Sequence, residues 1–116
     1  MENCFCYTEK HEAIRQKLAS SEQFLDGVEN ASRIFALLGE PNRMKIILAL
    51  MEGELCVYHI CEITGGKQSA TSQHLRKLKD THIVKSRKDA NQVLYSICDE
   101  HIYTIVKMAL EHSKCL

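Results

Sequence analysis

An excess of positive charge is missing: fifteen Lys and Arg balance fifteen Asp and Glu over 116 residues. That balance excludes a uniformly basic nucleic-acid binder, so any footprint on a polyanion must come from uneven placement of charge. No stretch approaches 18 consecutive apolar residues, the length a membrane-spanning helix needs. The opening MENCFCYTEKHE lacks the apolar run of a signal peptide. A soluble, cytoplasmic chain with no membrane contact is therefore expected. No glycine-rich phosphate loop, nucleophile elbow or oxyanion motif is visible, which argues against an enzyme. Internal repeats and low-complexity runs are absent as well. Proline occurs once, at position 41, where a first helical turn tolerates it.

What is present is a chain of single-domain length that is 45% apolar. A chain this short buries a limited fraction of its surface, and dimerisation is a common remedy. Between Lys67 and Gln92 stand seven basic residues (Lys67, Arg76, Lys77, Lys79, Lys85, Arg87, Lys88) against Asp80 and Asp89, a local charge of +5 that the rest of the chain offsets. Six cysteines accompany six histidines. In a reducing compartment clustered thiols serve metal binding or redox sensing more often than disulfides.

Along the chain, residues 1–12 read as an arm and residues 13–116 as one domain. A polar helix is expected from about Glu9 to Leu25, with a break at Asp26-Gly27. Ala31, Ile34, Phe35, Leu37 and Leu38 then give a helix from Val28 to Leu38, closed by Gly39. After Glu40-Pro41-Asn42, the residues Met44, Ile46, Ile47, Leu48, Leu50 and Met51 form a helix that is apolar nearly all round, the expected core helix. Leu55–Ile63 is ambiguous by periodicity, but the turn Thr64-Gly65-Gly66 and a helix from Ala70 to Lys79, capped by Ser69, make it the first helix of a helix-turn-helix. Ile83–Arg87 and Gln92–Ile97, joined by Lys88–Asn91, read as a β-hairpin with basic residues at its tip. Asp99 caps a last amphipathic helix. The fold class expected is mainly α with a small β-hairpin.

A hairpin directly after a helix-turn-helix is a wing. The second helix would enter a major groove while the hairpin touches adjacent phosphates, which makes double-stranded DNA the expected partner. Its outward positions are Ser69, Thr71, Ser72, Gln73, His74, Arg76 and Lys77, while Leu75 and Leu78 point inward. Gln reads adenine and Arg reads guanine, whereas Ser and Thr favour phosphate oxygens. Arg87 and Lys88 are phosphate contacts by charge and position. His82, before the wing, is read as structural.

The segments GEPNRMKIILAL, ELCV, SATSQHLRKLKD, VKSRKDANQVLYSI and DEHIYTIVKMALEH together resemble, in order and spacing, the ArsR/SmtB family of metal-sensing repressors. The resemblance spans Ala31 to Cys115 and is strongest to the cadmium/lead/zinc-responsive CadC-like group, because of the cysteine-bearing arm. It implies a winged helix-turn-helix homodimer that dimerises through its C-terminal helix. It also implies repression of metal-resistance or efflux genes by operator binding, with release on binding Zn2+ or Cd2+, with Pb2+ a further candidate.

Two metal sites are candidates. Asp99 and His101 open the last helix and His112 and Cys115 close it. His101 and His112 lie about 16.5 Å apart along the axis, so one ion cannot bridge them within a chain. Two such helices packed antiparallel would bring Asp99 and His101 of one chain to His112 and Cys115 of the other. Asp99, His101 and His112 match the family's C-terminal-helix site; Cys115 departs from its usual carboxylate or histidine, which favours softer ions. The second set follows the family's thiol-rich site: Cys4 and Cys6 of the arm with Cys56, across the dimer. Tyr58 stands where the family's second cysteine of this segment would be. His59, three residues from Cys56 on the same helical face, or less readily His11, would be the fourth ligand. Cys61, about 140° round the helix from Cys56, is expected in the core, and Cys98 is expected to be structural. The competing reading on the same fold is a thiol-redox repressor switched by a Cys4–Cys6 disulfide.

Overall fold

The computed structural model describes residues 9–20 and 22–116. The chain divides into two compact units, Met1–Arg33 and Ile34–Leu116. In the first, α1 (Glu9–Ser20) buries none of its residues. Its Arg15 pairs with Glu12 one turn earlier at 2.6 Å. Helix α2 (Glu22–Leu38) runs straight through Asp26 and Gly27, where a break is expected from the sequence. A glycine inside a helix costs only about 1 kcal/mol, and the helix-favouring residues on both sides outweigh it.

The second unit is built around α3 (Pro41–Met51), whose Ile46, Ile47, Ala49 and Leu50 are buried. Pro41 occupies its first turn, and the Glu40 carboxylate caps it by accepting from the Arg43 amide at 2.8 Å. Onto α3 pack Leu38, Ile60, Leu75, Leu78, Ile83, Val84, Ile102 and Val106, which close the core. The ambiguous LCVYHICEI stretch resolves into both of its alternatives. Leu55–Cys56 is a two-residue strand β1, and Val57–Thr64 is helix α4. Gly65, at φ +77°, ends α4 in the left-handed region and donates its amide to the Cys61 carbonyl at 2.8 Å.

Helix α5 (Gln68–Asp80) begins two residues before the expected start. Lys67 holds the cap position without a side-chain hydrogen bond, and Ser69 lies inside the first turn. The C-terminal end is a Schellman motif: the His82 amide donates to the Lys79 carbonyl and the Ile83 amide to the Leu78 carbonyl. His82 fills the left-handed position, φ +58°, that glycine usually takes. Strands β2 (Val84–Asp89) and β3 (Gln92–Ile97) form the hairpin, turned by Ala90 and Asn91, with Ala90 at φ +56°. β1 adds to the other edge of β3, giving the antiparallel order β1-β3-β2. The strands close the hairpin further out than expected, so Lys88 is paired with Val93 and is not in the turn. At its base the Cys98 amide donates to the Ile83 carbonyl at 3.0 Å. Helix α6 (Glu100–Ser113) follows; it buries Ile102 and Val106 and leaves Tyr103, Met108 and Leu110 exposed.

Candidate nucleic-acid interface and metal-ligand sets

The α4–Gly65-Gly66–α5 segment is a helix-turn-helix whose turn is seated tightly: a Cβ on Gly66 would lie 2.9 Å from the Thr71 hydroxyl. With α5 starting at Gln68, Thr71, Leu75 and Leu78 fall at i, i+4 and i+7 and form its buried face. Thr71, read from the sequence as outward, is 2% exposed and belongs to the interior. That spacing is present in the sequence whichever residue opens the helix, but the polar residue at its first position reads as outward. Ser69, Ser72, Gln73, Arg76 and Lys77 are exposed, and His74 is half-buried. His74 lines a cleft with Asn42, Thr64 and Lys67. The Glu40 carboxyl beside it is held below its ordinary value, first by the Arg43 amide and to a smaller degree by the charges of His74 and Arg43.

A second cleft lies between α5 and the sheet, lined by Ser72, Arg76, Lys79, Asp80 and Tyr95. Lys79 counts in the sequence only toward the basic segment, and Tyr95 carries no signal there. Tyr95 reaches the cleft only through the register of β3 on β2, which no local pattern specifies. On the hairpin, Lys88 is exposed. Arg87 is engaged within the chain: its Nε and Nη2 donate to the two Glu54 carboxylate oxygens, each at 2.7 Å. This fork raises the Arg87 pKa and lowers that of Glu54. Glu54, just before β1, carries no local signal of this role, because its partner is 33 residues away.

The C-terminal ligand residues occupy the two ends of α6. Asp99 Oδ1 caps the helix by accepting from the amides of His101 (3.0 Å) and Ile102 (3.3 Å). Its Oδ2 stands 3.4 Å from His101 Nδ1. The carboxyl is held below its ordinary value, most strongly by the Ile102 amide and then by His101. Two ligands about 2.05 Å from one tetrahedral ion are separated by about 3.3 Å, so the spacing of this pair fits a shared metal. Asp99 would give one oxygen, the other being used by the cap. His112 and Cys115 are exposed at the far end. Among the described residues of one chain, no three His, Cys, Asp or Glu side chains converge.

The other set is seen in half. Cys56 is buried at the cap position of α4, and its sulfur lies 3.3 Å from His59 Nδ1. His59 itself is exposed, with the Tyr58 ring edge-on to it at 5.6 Å. Cys4 and Cys6 lie outside the described residues. Cys61, expected in the core, is only half-buried, and among the described residues it has no partner thiol; Cys98 is half-buried and ties the hairpin base through its amide.

Residues 40–86, which span α3 to the middle of β2, match the family model for bacterial regulatory proteins of the arsR family. A cadmium resistance transcriptional regulatory protein CadC homolog from Staphylococcus aureus is 37% identical over 86 residues, covering 73% of this chain and 71% of that protein. A transcriptional repressor SmtB homolog from Synechocystis is 31% identical over 88 residues, 76% of this chain and 67% of that one. In structure, the homodimeric winged helix-turn-helix DNA-binding domain of a Mycobacterium bovis protein superposes with a TM-score of 0.77, covering 82% of this chain and 88% of that domain. At 22% identity that last likeness is one of fold. The α4–α5 pair, the hairpin that follows it and these relatives agree: the chain is a winged helix-turn-helix transcriptional regulator, not an enzyme, and belongs to the arsR family.

Proposed function

We propose that the chain is a homodimeric, metal-responsive repressor that acts in the cytoplasm, binding operator DNA and releasing it when a soft or borderline metal ion binds. The observation that carries the DNA reading is the division of α5 into two faces. Thr71, Leu75 and Leu78 are locked in the core, so Ser69, Ser72, Gln73, Arg76 and Lys77 are presented on a rigid helix that a major groove can accept. His74 stands at the margin of that face, and Lys88 extends it along the hairpin toward neighbouring phosphates.

The metal reading rests on the Asp99–His101 pair, whose spacing suits one ion and whose carboxyl is held ionised. His112 and Cys115 of the partner subunit would complete four ligands of O, N, N and S type, a set suited to zinc or cadmium. Cys56 and His59 offer a second pair of donors, which Cys4 and Cys6 of the partner's arm would complete for cadmium or lead. A bound ion supplies a fixed bridge between protomers. Repression needs two α5 helices about 34 Å apart, one DNA turn. A dimer locked at another spacing holds operator less well, and by reciprocity operator weakens metal to the same degree. The test is a titration of operator binding with zinc, cadmium, lead, cobalt and nickel in parallel. Release by zinc or cadmium is expected, and operator affinity indifferent to all five would end the metal reading.

A further inference from the structure

The Arg87–Glu54 fork crosses the whole sheet. Arg87 pairs with Leu94, and Leu94 pairs with Cys56, so the three lie on one rung of β2, β3 and β1. Glu54 precedes Cys56 by two residues. Neighbouring strands are about 4.8 Å apart, so the Arg87 and Glu54 side chains together bridge about two strand spacings, across the strand that carries Leu94. Both groups stay in contact with water, Arg87 58% and Glu54 33% exposed. Exposed ion pairs add little to stability. What the pair does change is the availability of the guanidinium. Among the described residues, Arg87 is the only hairpin cation held in an ion pair; Lys85 and Lys88 are not.

A guanidinium fork grips a carboxylate and a phosphate with the same two parallel hydrogen bonds. We propose that Glu54 is an intramolecular competitor for the DNA backbone, holding the Arg87 fork that a phosphate would otherwise take. The wing then engages DNA at Arg87 only by exchanging one anion for the other, and the released carboxylate stays close enough to repel the phosphate. Glu54 is thereby a brake on DNA affinity. This rests on the DNA-binding reading given above.

The test uses the full-length chain and its Glu54→Gln, Arg87→Gln and doubly substituted forms. Each is titrated against a random-sequence DNA duplex by fluorescence anisotropy over a series of salt concentrations. Glu54→Gln is expected to tighten binding about two- to fivefold, the range of one exposed ion pair. It should also steepen the salt dependence by about one unit. In the Arg87→Gln background the same change should give almost no gain. Unchanged or weaker binding by Glu54→Gln overturns the brake, the latter making Glu54 a brace for the wing. An equal gain with and without Arg87 also overturns it, since bulk charge would then be the cause. Should Glu54→Gln lose its helical circular dichroism, Glu54→Ala takes its place with the same expectation. A wild-type chain with no salt-dependent binding to any duplex overturns the DNA reading and the brake together, whereas wild-type binding with a failed Glu54→Gln response overturns the brake alone.

Discussion

The α4–α5–hairpin region and helix α6 solve opposite problems. The first presents its whole polar face from one chain: Thr71, Leu75 and Leu78 anchor α5, and β1 ties α4 to the hairpin. Helix α6 carries its four ligand-type residues in two pairs at opposite ends of a rigid rod, too far apart for one ion. On the proposed reading, one region is complete in a monomer, and the other would be complete only in a pair. Recognition and sensing can then be separate properties, joined by whatever sets the geometry of the dimer.

The strongest way to break that contrast is to mix chains. In a background with Cys4, Cys6 and Cys56 changed to serine, His101→Ala and His112→Ala homodimers should each lose both α6 zinc sites. A mixed dimer keeps His101 on one chain and His112 on its partner, so one of the two sites should return at near-normal affinity. Zinc bound per mixed dimer decides it, and no recovery would rule out a site shared between protomers. Next in size is Arg76→Ala, which should cost about 1–3 kcal/mol of operator affinity if the guanidinium reads a base. A loss spread evenly over operator and random DNA would make Arg76 a phosphate contact.

Asp99 has a part in each half of the contrast, as a cap within the chain and, in the proposed site, as a ligand between chains. Asp99→Ala should lower stability by about 1 kcal/mol in denaturant unfolding, while Asp99→Asn keeps most of the cap. Both should lose zinc affinity, so an Asn variant with normal zinc binding would remove Asp99 from the site. Folding depresses this carboxyl below its ordinary value of 3.8. Its contribution is therefore full above about pH 4 and lost as the pH falls through the lower folded value. The smallest effect is expected at His82, which occupies a left-handed position within the self-contained region. His82→Gly should raise stability by about 0.5 kcal/mol, read as a shift in the unfolding midpoint, with zinc binding untouched.

Much of this was legible in the chain itself. The Pro41 start of α3, the Gly65-Gly66 turn, the hairpin and the Asp99 cap are each specified by residues within a few positions of one another. The failures share a cause. Gly27 reads as a stop only if its neighbours' preference for helix is ignored. Lys67 offers no side-chain cap, so Ser69 reads as the cap of α5, and Thr71 reads as outward because it is polar although it shares the face of Leu75 and Leu78. Strand β1 exists because β3 offers it an edge, and the Glu54–Arg87 fork exists because β1 and β2 flank β3. Neither partner carries a local mark of the other.

Ile83 gives the wing its mechanics. Its amide closes the end of α5 through Leu78, and its carbonyl receives the Cys98 amide where the hairpin returns. The recognition helix, the outgoing strand and the incoming strand are thus pinned at one buried residue, and beyond the Cys56–Leu94–Arg87 rung, the last that β1 holds, the hairpin tip is a lever. Three residues of strand reach about 10 Å, so a tilt of about 20° at that rung would carry the tip about 3.5 Å. That travel exceeds the length of a hydrogen bond, enough to make or break a phosphate contact without any change in α5. The amides of Ile83 and Cys98 should accordingly exchange with solvent far more slowly than those at the tip, and binding of DNA should slow the tip while leaving those two as they were.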